Sequence, residues 1–140
     1  VVLFFGDHWP NLEEEYLTDL LGTDSTSLGL EDMMREYQVP FVIWANYPLE
    51  SQEIEAVSLN YLSGLLLRAA GLEGTDYTKF LEQLRQEVPV ITAVGTMDKD
   101  GSLYAVGEST PYDSLLNDYA VLQYNNAFGG SGKVSSIFTR

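Results

Sequence analysis

Five apolar residues in a row, Val1-Val2-Leu3-Phe4-Phe5, open the chain, and Gly6 closes the run. A continuous β-branched and aromatic run of this kind predicts a strand buried on both faces. Asp7, His8, Trp9 and Pro10 read as a loop. Leu12, Tyr16 and Leu20 then recur at spacing four, one face of a helix. Asn11 can cap it, with Glu14 three residues on in the manner of a capping box, and Gly22 is its stop.

Thr23 to Gly29 is polar and reads as a loop, and Leu30 to Tyr37 as a short helix ahead of Val39-Pro40. Phe41-Val42-Ile43-Trp44-Ala45 predicts a second buried strand, stopped by Asn46 and Pro48. Ser58 can cap a longer helix, with Leu59, Leu62, Leu66 and Ala69 or Ala70 on its apolar face and Gly71 at its end. Phe80, Leu81, Leu84 and Val88 mark another helix, broken at Pro89. Val90 to Val94 and Leu103 to Val106 predict two strands joined around the hairpin turn Asp98-Lys99-Asp100-Gly101. Asp113 is placed to cap a last helix, with Leu115, Tyr119 and Leu122 on one face. Gly129 to Lys133 reads as flexible, and Val134 to Arg140 as frayed or an edge strand. Strands alternating with helices predict an α/β fold with parallel pairing in its early part.

Composition narrows the partners. The chain has 140 residues and a formal net charge of −14, with 21 Asp+Glu against 7 Lys+Arg. This disfavours nucleic acid and anionic lipid, both of which call for clustered Lys and Arg. The 45% hydrophobic content suffices for a core. Residues 1–60 carry a net −11 and residues 61–140 a net −3, so the first part is where a cation is attracted. The absence of cysteine excludes disulfides, thiolate metal sites and a cysteine nucleophile. No apolar run approaches the ~20 residues of a spanning helix. A start without Met, inside an apolar run, reads as a piece of a longer protein.

Gly6-Asp7-His8 is the best candidate for chemistry, directly after a strand, where ligands gather in open α/β sheets. Asp7 offers oxygen and His8 offers nitrogen, a mixed pair that suits Mn²⁺ or Zn²⁺. His8 is the only histidine. The other reading is that Asp7 turns the chain and His8 is an ordinary loop residue. Glu13, Glu14 and Glu15 can add ligands, or simply sit in the first helical turn, where negative charge is favourable. Asp98-Lys99-Asp100-Gly101 fails the calcium-loop spacing and reads as a turn. Gly129-Gly130-Ser131-Gly132-Lys133 lacks the strand and spacing of a phosphate loop. Tyr119, Tyr124 and Phe128 can line a ligand or pack in the core, and Trp9 and Trp44 share that ambiguity.

Read together, Val2-Leu3-Phe4-Phe5-Gly6-Asp7-His8 with Pro10, Pro40-Phe41-Val42-Ile43-Trp44-Ala45-Asn46, and Ser58-Leu59-Asn60-Tyr61-Leu62 through Ala70-Gly71-Leu72 resemble one family. They are similar to the C-terminal part of the lipoteichoic acid synthase-like sulfatases, in the alkaline phosphatase superfamily. Phe80 to Ile91 and Tyr119 to Phe128, with Gln123-Tyr124-Asn125-Asn126, fit the tail of the same proteins. The resemblance implies that residues 1–140 are one segment of a sulfatase-like sheet flanked by helices, with an appended β-hairpin and terminal helix. It implies that Asp7 and His8 ligate a divalent metal, most often Mn²⁺, with Zn²⁺ or Mg²⁺ as alternatives. The threonine nucleophile and an acidic ligand would lie upstream, leaving this piece inactive alone. An N-terminal membrane anchor and an outward-facing catalytic domain are implied as well. So is transfer of glycerol phosphate from phosphatidylglycerol to a polymer or glycan; relatives cleave phosphate or sulfate esters. The competing reading is a non-catalytic acidic module that binds a protein or a glycan.

Overall fold

The computed structural model describes residues 1–22 and 27–139. The loop expected over 23–29 therefore lies partly outside the described residues, as does Arg140. Strands β1 (Val2–Phe5) and β2 (Phe41–Trp44) flank helices α1 (Glu14–Leu21) and α2 (Leu30–Arg35). A 3-10 turn at Leu59–Tyr61 leads into α3 (Leu62–Ala69), followed by α4 (Asp76–Glu87). Next come β3 (Val90–Ile91), β4 (Gly95–Met97) and β5 (Leu103–Ala105). Helix α5 (Asp113–Phe128), a 3-10 turn at Gly130–Gly132 and α6 (Ser135–Phe138) complete the order. Strands and helices thus mix in an α/β fold. Among the described residues, no helix is long and apolar enough to cross a membrane.

The expected parallel pairing is overturned. β1 and β2 are antiparallel, with Val2 opposite Trp44 and Phe5 opposite Phe41. A parallel crossover needs a helix that carries the chain back along the strand. Here α1 and α2 are short and return the chain to the end it left. The Gly6 N–H donates to the Pro40 carbonyl at 3.0 Å, closing that end. The expected burial of both strands is overturned too. Val2, Phe4, Val42 and Trp44 form one exposed face, with Phe4 62% and Trp44 57% accessible. An apolar run reads the same whether its strand is covered on two faces or one.

The core forms where α4, α5 and the 59–61 turn meet. Thr75 caps α4, its Oγ1 accepting the Thr78 N–H. Leu81, Leu84 and Val88 then pack with Tyr61 and Tyr119. Each such apolar side chain contributes about 1.5–3 kcal/mol on full burial. Tyr119 lies on the expected face of α5, beside the half-buried Leu115 and Leu116.

Several caps differ from expectation. Helix α1 starts at Glu14, with Glu13 rather than Asn11 at its N-cap. Gly22 ends it in the left-handed region, at φ 73°. Ser58 stands at the N-cap of the 3-10 turn, but its side chain makes no capping bond; its Oγ accepts the Ile91 N–H at 2.6 Å and donates to the Ile91 carbonyl at 2.9 Å. That latch ties the start of the 3-10 turn to β3. Leu59 is consequently exposed, and Leu62 and Leu65 supply the buried face of α3. Asp113 is the first residue of α5, and its carboxylate reaches back to the Thr110 N–H.

The hairpin turn lies at Asp98–Gly101 as expected, but its first strand is Gly95–Met97, with Val90–Ile91 a third strand beside it. A Cβ at Gly95 would lie 2.6 Å from the Tyr104 carbonyl oxygen, so only glycine lets β4 and β5 approach this closely. At the C-terminus α6 forms in place of an edge strand, its Phe138 ring 5.1 Å from that of Tyr77.

Candidate functional site

Asp7 and His8 follow the end of β1, where Gly6 passes close to Val39. Asp7 Oδ1 accepts the His8 backbone N–H at 2.9 Å. His8 Nε2 lies 3.3 Å from Asp7 Oδ2, with both side chains open to solvent. His8 Nδ1 lies 2.6 Å from the Trp9 carbonyl. A carbonyl only accepts, so Nδ1 carries a proton, and the neutral ring presents its lone pair at Nε2. In that tautomer the lone pair faces the Asp7 Oδ2. The Trp9 indole N–H donates to the Gln38 carbonyl, which anchors the loop on the segment after α2.

The donor pair fits a divalent ion. Metal bonds of ~2.0–2.2 Å to nitrogen and oxygen set neighbouring donors roughly 3.0–3.4 Å apart. The 3.3 Å separation falls in that range. Two donors are only part of a coordination sphere. Among the described residues, no group of three or more His, Asp or Glu side chains could hold a metal. Glu13, Glu14 and Glu15 are not brought to the pair; they sit at the N-cap and first turn of α1.

Asp7, His8 and Trp9 border a cleft of about 1610 Å³. Ile54–Asn60, Pro89–Thr92, the 98–101 turn and Tyr119 also line it. Six carboxylates line it, from Asp7, Glu31, Glu36, Glu55, Asp98 and Asp100, against the cations Arg35 and Lys99. Lys99 is engaged by Glu87 at 2.8 Å. Asp98 is turned inward: Oδ1 accepts the Asp100 and Ser102 N–H groups, and Oδ2 accepts the Tyr104 hydroxyl. Burial pushes this carboxyl up, but those bonds outweigh it and hold its pKa below the usual aspartate range. The 98–101 segment is thus a hydrogen-bonded turn, fastened to Ser102 and to Tyr104 of β5.

A polar cluster missed by sequence reasoning includes two residues of the cleft lining, Asn60 and Tyr119. Asn60 Nδ2 and Gln123 Nε2 both donate to the Tyr119 hydroxyl oxygen, at 2.9 and 2.6 Å. The Tyr119–Gln123 pair has helical i,i+4 spacing, a readable signal. Asn60 is 59 residues away from Tyr119 and gave none. Of the aromatic stripe, only Tyr119 joins the core. Tyr124 and Phe128 are exposed, with ring centroids 5.3 Å apart. Lys133 Nζ donates to the Asn126 carbonyl at 3.1 Å.

The chain is 30% identical over 133 residues to a Rhizobium meliloti (strain 1021) protein provisionally named a cyclic beta-1,2-glucan modification protein. The match covers 92% of this chain and 21% of that relative, so the chain spans about a fifth of its length. No family profile matches the chain. No solved structure matches it either.

Proposed function

We propose that this chain is the metal-ligating C-terminal part of a membrane-anchored enzyme that modifies a glucan by transferring phosphoglycerol from a lipid donor. The catalytic domain faces outward, and a threonine nucleophile lies in a preceding segment. The observation that carries the proposal is the Asp7–His8 pair, two donors 3.3 Å apart at the end of a strand. The glucan named for the Rhizobium meliloti relative supports the acceptor class. The resemblance to lipoteichoic acid synthase-like sulfatases supports the chemistry and the choice of Mn²⁺.

Asp7 Oδ2 and His8 Nε2 would hold the ion. When bound, a divalent metal polarises a phosphoryl oxygen and makes a hydroxyl nucleophile more acidic. The Trp9 carbonyl keeps the Nδ1 proton in place, so Nε2 stays the ligating nitrogen. Gln38 in turn holds Trp9. The exposure of both ligands leaves their outer side open to substrate.

The test is made in the longer protein that carries this segment. Asp7→Ala and His8→Ala are expected to reduce bound Mn²⁺ and glucan modification together. The loss should exceed the roughly 10–100-fold that follows removal of an outer-shell partner. Wild-type metal content and activity in both variants would remove the proposal. The 140-residue chain assayed alone is expected to hydrolyse no phosphate or sulfate ester.

A further inference from the structure

Val2, Phe4, Val42 and Trp44 stand on one face of the β1–β2 ribbon, Val2 across from Trp44 and Phe4 across from Val42. All four are exposed, from 41% at Val2 to 62% at Phe4. On the other face Leu3, Phe41 and Ile43 are each partly buried. Among the described residues, the two strands make up the whole of their sheet. Single exposed apolar side chains are ordinary, but four large ones in register form a continuous patch, and such a patch marks a contact surface.

Charge and chain length select what covers it. Residues 1–60, which include both strands, carry a net −11. A second copy docked through the same patch brings two such halves together, and like charge opposes that. An anionic lipid surface is opposed in the same way. A segment of the same polypeptide meets the patch at an effective concentration on the order of mM, far above that of a separate partner. This chain matches only 21% of the Rhizobium meliloti relative, so most of that polypeptide lies outside the match. We infer that the face formed by Val2, Phe4, Val42 and Trp44 is an intramolecular interface, covered by an apolar segment of the same polypeptide outside residues 1–140. The inference takes from the proposed function only that this chain is part of a longer protein, and adds the surface on which the rest docks. Asp7 and His8 follow β1 directly, so covering the ribbon would steady the strand that carries them.

Val42→Cys in the longer protein, with thiol labelling followed by peptide mass spectrometry, tests it. Labelling of the native protein is expected to be slower than that of the urea-unfolded protein by roughly tenfold or more, as for a site that opens only transiently. A smaller difference would overturn the inference. Phe4→benzoylphenylalanine, cross-linked by light, identifies the cover. The expected product joins position 4 to a peptide outside residues 1–140 within one polypeptide. Cross-links only to a second copy, to lipid or within residues 1–140 would overturn the inference. Should the bulkier substitution prevent folding, the Val42→Cys rate, measured on the monomer, decides. Bound Mn²⁺ is read on the same samples. A protected Val42→Cys thiol in a protein that holds no Mn²⁺ would leave this inference standing and remove the metal-dependent one. An open thiol in a protein that holds Mn²⁺ would do the reverse.

Discussion

His8 and Asp98 sit at two borders of the same cleft in opposite states. His8 and its neighbour Asp7 present donors outward to solvent. Asp98 spends one carboxylate oxygen on the backbone of its turn and the other on the Tyr104 hydroxyl of β5. Asp98→Ala strips the acceptor from two N–H groups and a tyrosine hydroxyl, and should lower the thermal midpoint clearly. Asp98→Asn keeps one oxygen for the two N–H groups and should cost less. Equal midpoints for the two variants, read by circular dichroism, would contradict this account of the turn.

Glu82 shows a different residue-scale device. The bond from Arg85 holds its carboxyl at about 2, below the usual 4.5; burial opposes this and a second bond from Arg68 adds to it. The cluster ties α3 to α4, with Arg68 Nη2 at 2.5 Å and Arg85 Nη2 at 2.7 Å from Glu82 Oε1. A carboxyl lowered in the folded state binds its proton more readily in the unfolded one. Its stabilisation is therefore complete above the unfolded value, near 4.5, and is lost as pH falls through about 2. Glu82→Gln should flatten that part of an acid titration of the midpoint. At this scale Asp7–His8 was legible because neighbours in sequence stay neighbours in space. Asn60 and Tyr119 meet only through the packing of the 59–61 turn against α5, which no local pattern records.

Helix α4 is the element on which the molecule depends. Leu84 is fully enclosed, packed with Tyr61 and Tyr119. Leu84→Ala should destabilise by about 3 kcal/mol, a buried large-to-small change. Leu20→Ala, on the exposed side of α1, should stay within about 0.5 kcal/mol. Urea unfolding of both variants checks the contrast. Element types were readable wherever a period was long, as in α4 and α5. Strand direction was not, because α1 and α2 separate β1 from β2 without setting which way β2 runs. The third strand, Val90–Ile91, was hidden since two residues carry no period. Ser58 looked like a cap because serine before an apolar run signals a helix start; its hydroxyl found β3 instead.

At the scale of the whole molecule, charge and apolar surface divide the labour. The net −14 sits mainly in residues 1–60, where the Asp7–His8 pair also lies. The same region carries the exposed face of Val2, Phe4, Val42 and Trp44. Two open-edged strands with an apolar face are marginal by themselves in water. The ribbon's stability should therefore fall below that of the α4–α5 core. Hydrogen exchange is expected to be faster at Leu3 and Ile43 than at Leu84 and Val88. Equal protection would contradict this division.

The central claim is that Asp7 and His8 hold one divalent ion. Because His8 is the only histidine, its ring protons give unique NMR signals. Titrating the chain with Mn²⁺ should broaden those signals first, and Asp7→Ala should remove most of the broadening at the same concentration. His8 signals that stay sharp while other carboxylates respond, or that broaden equally in Asp7→Ala, would contradict it.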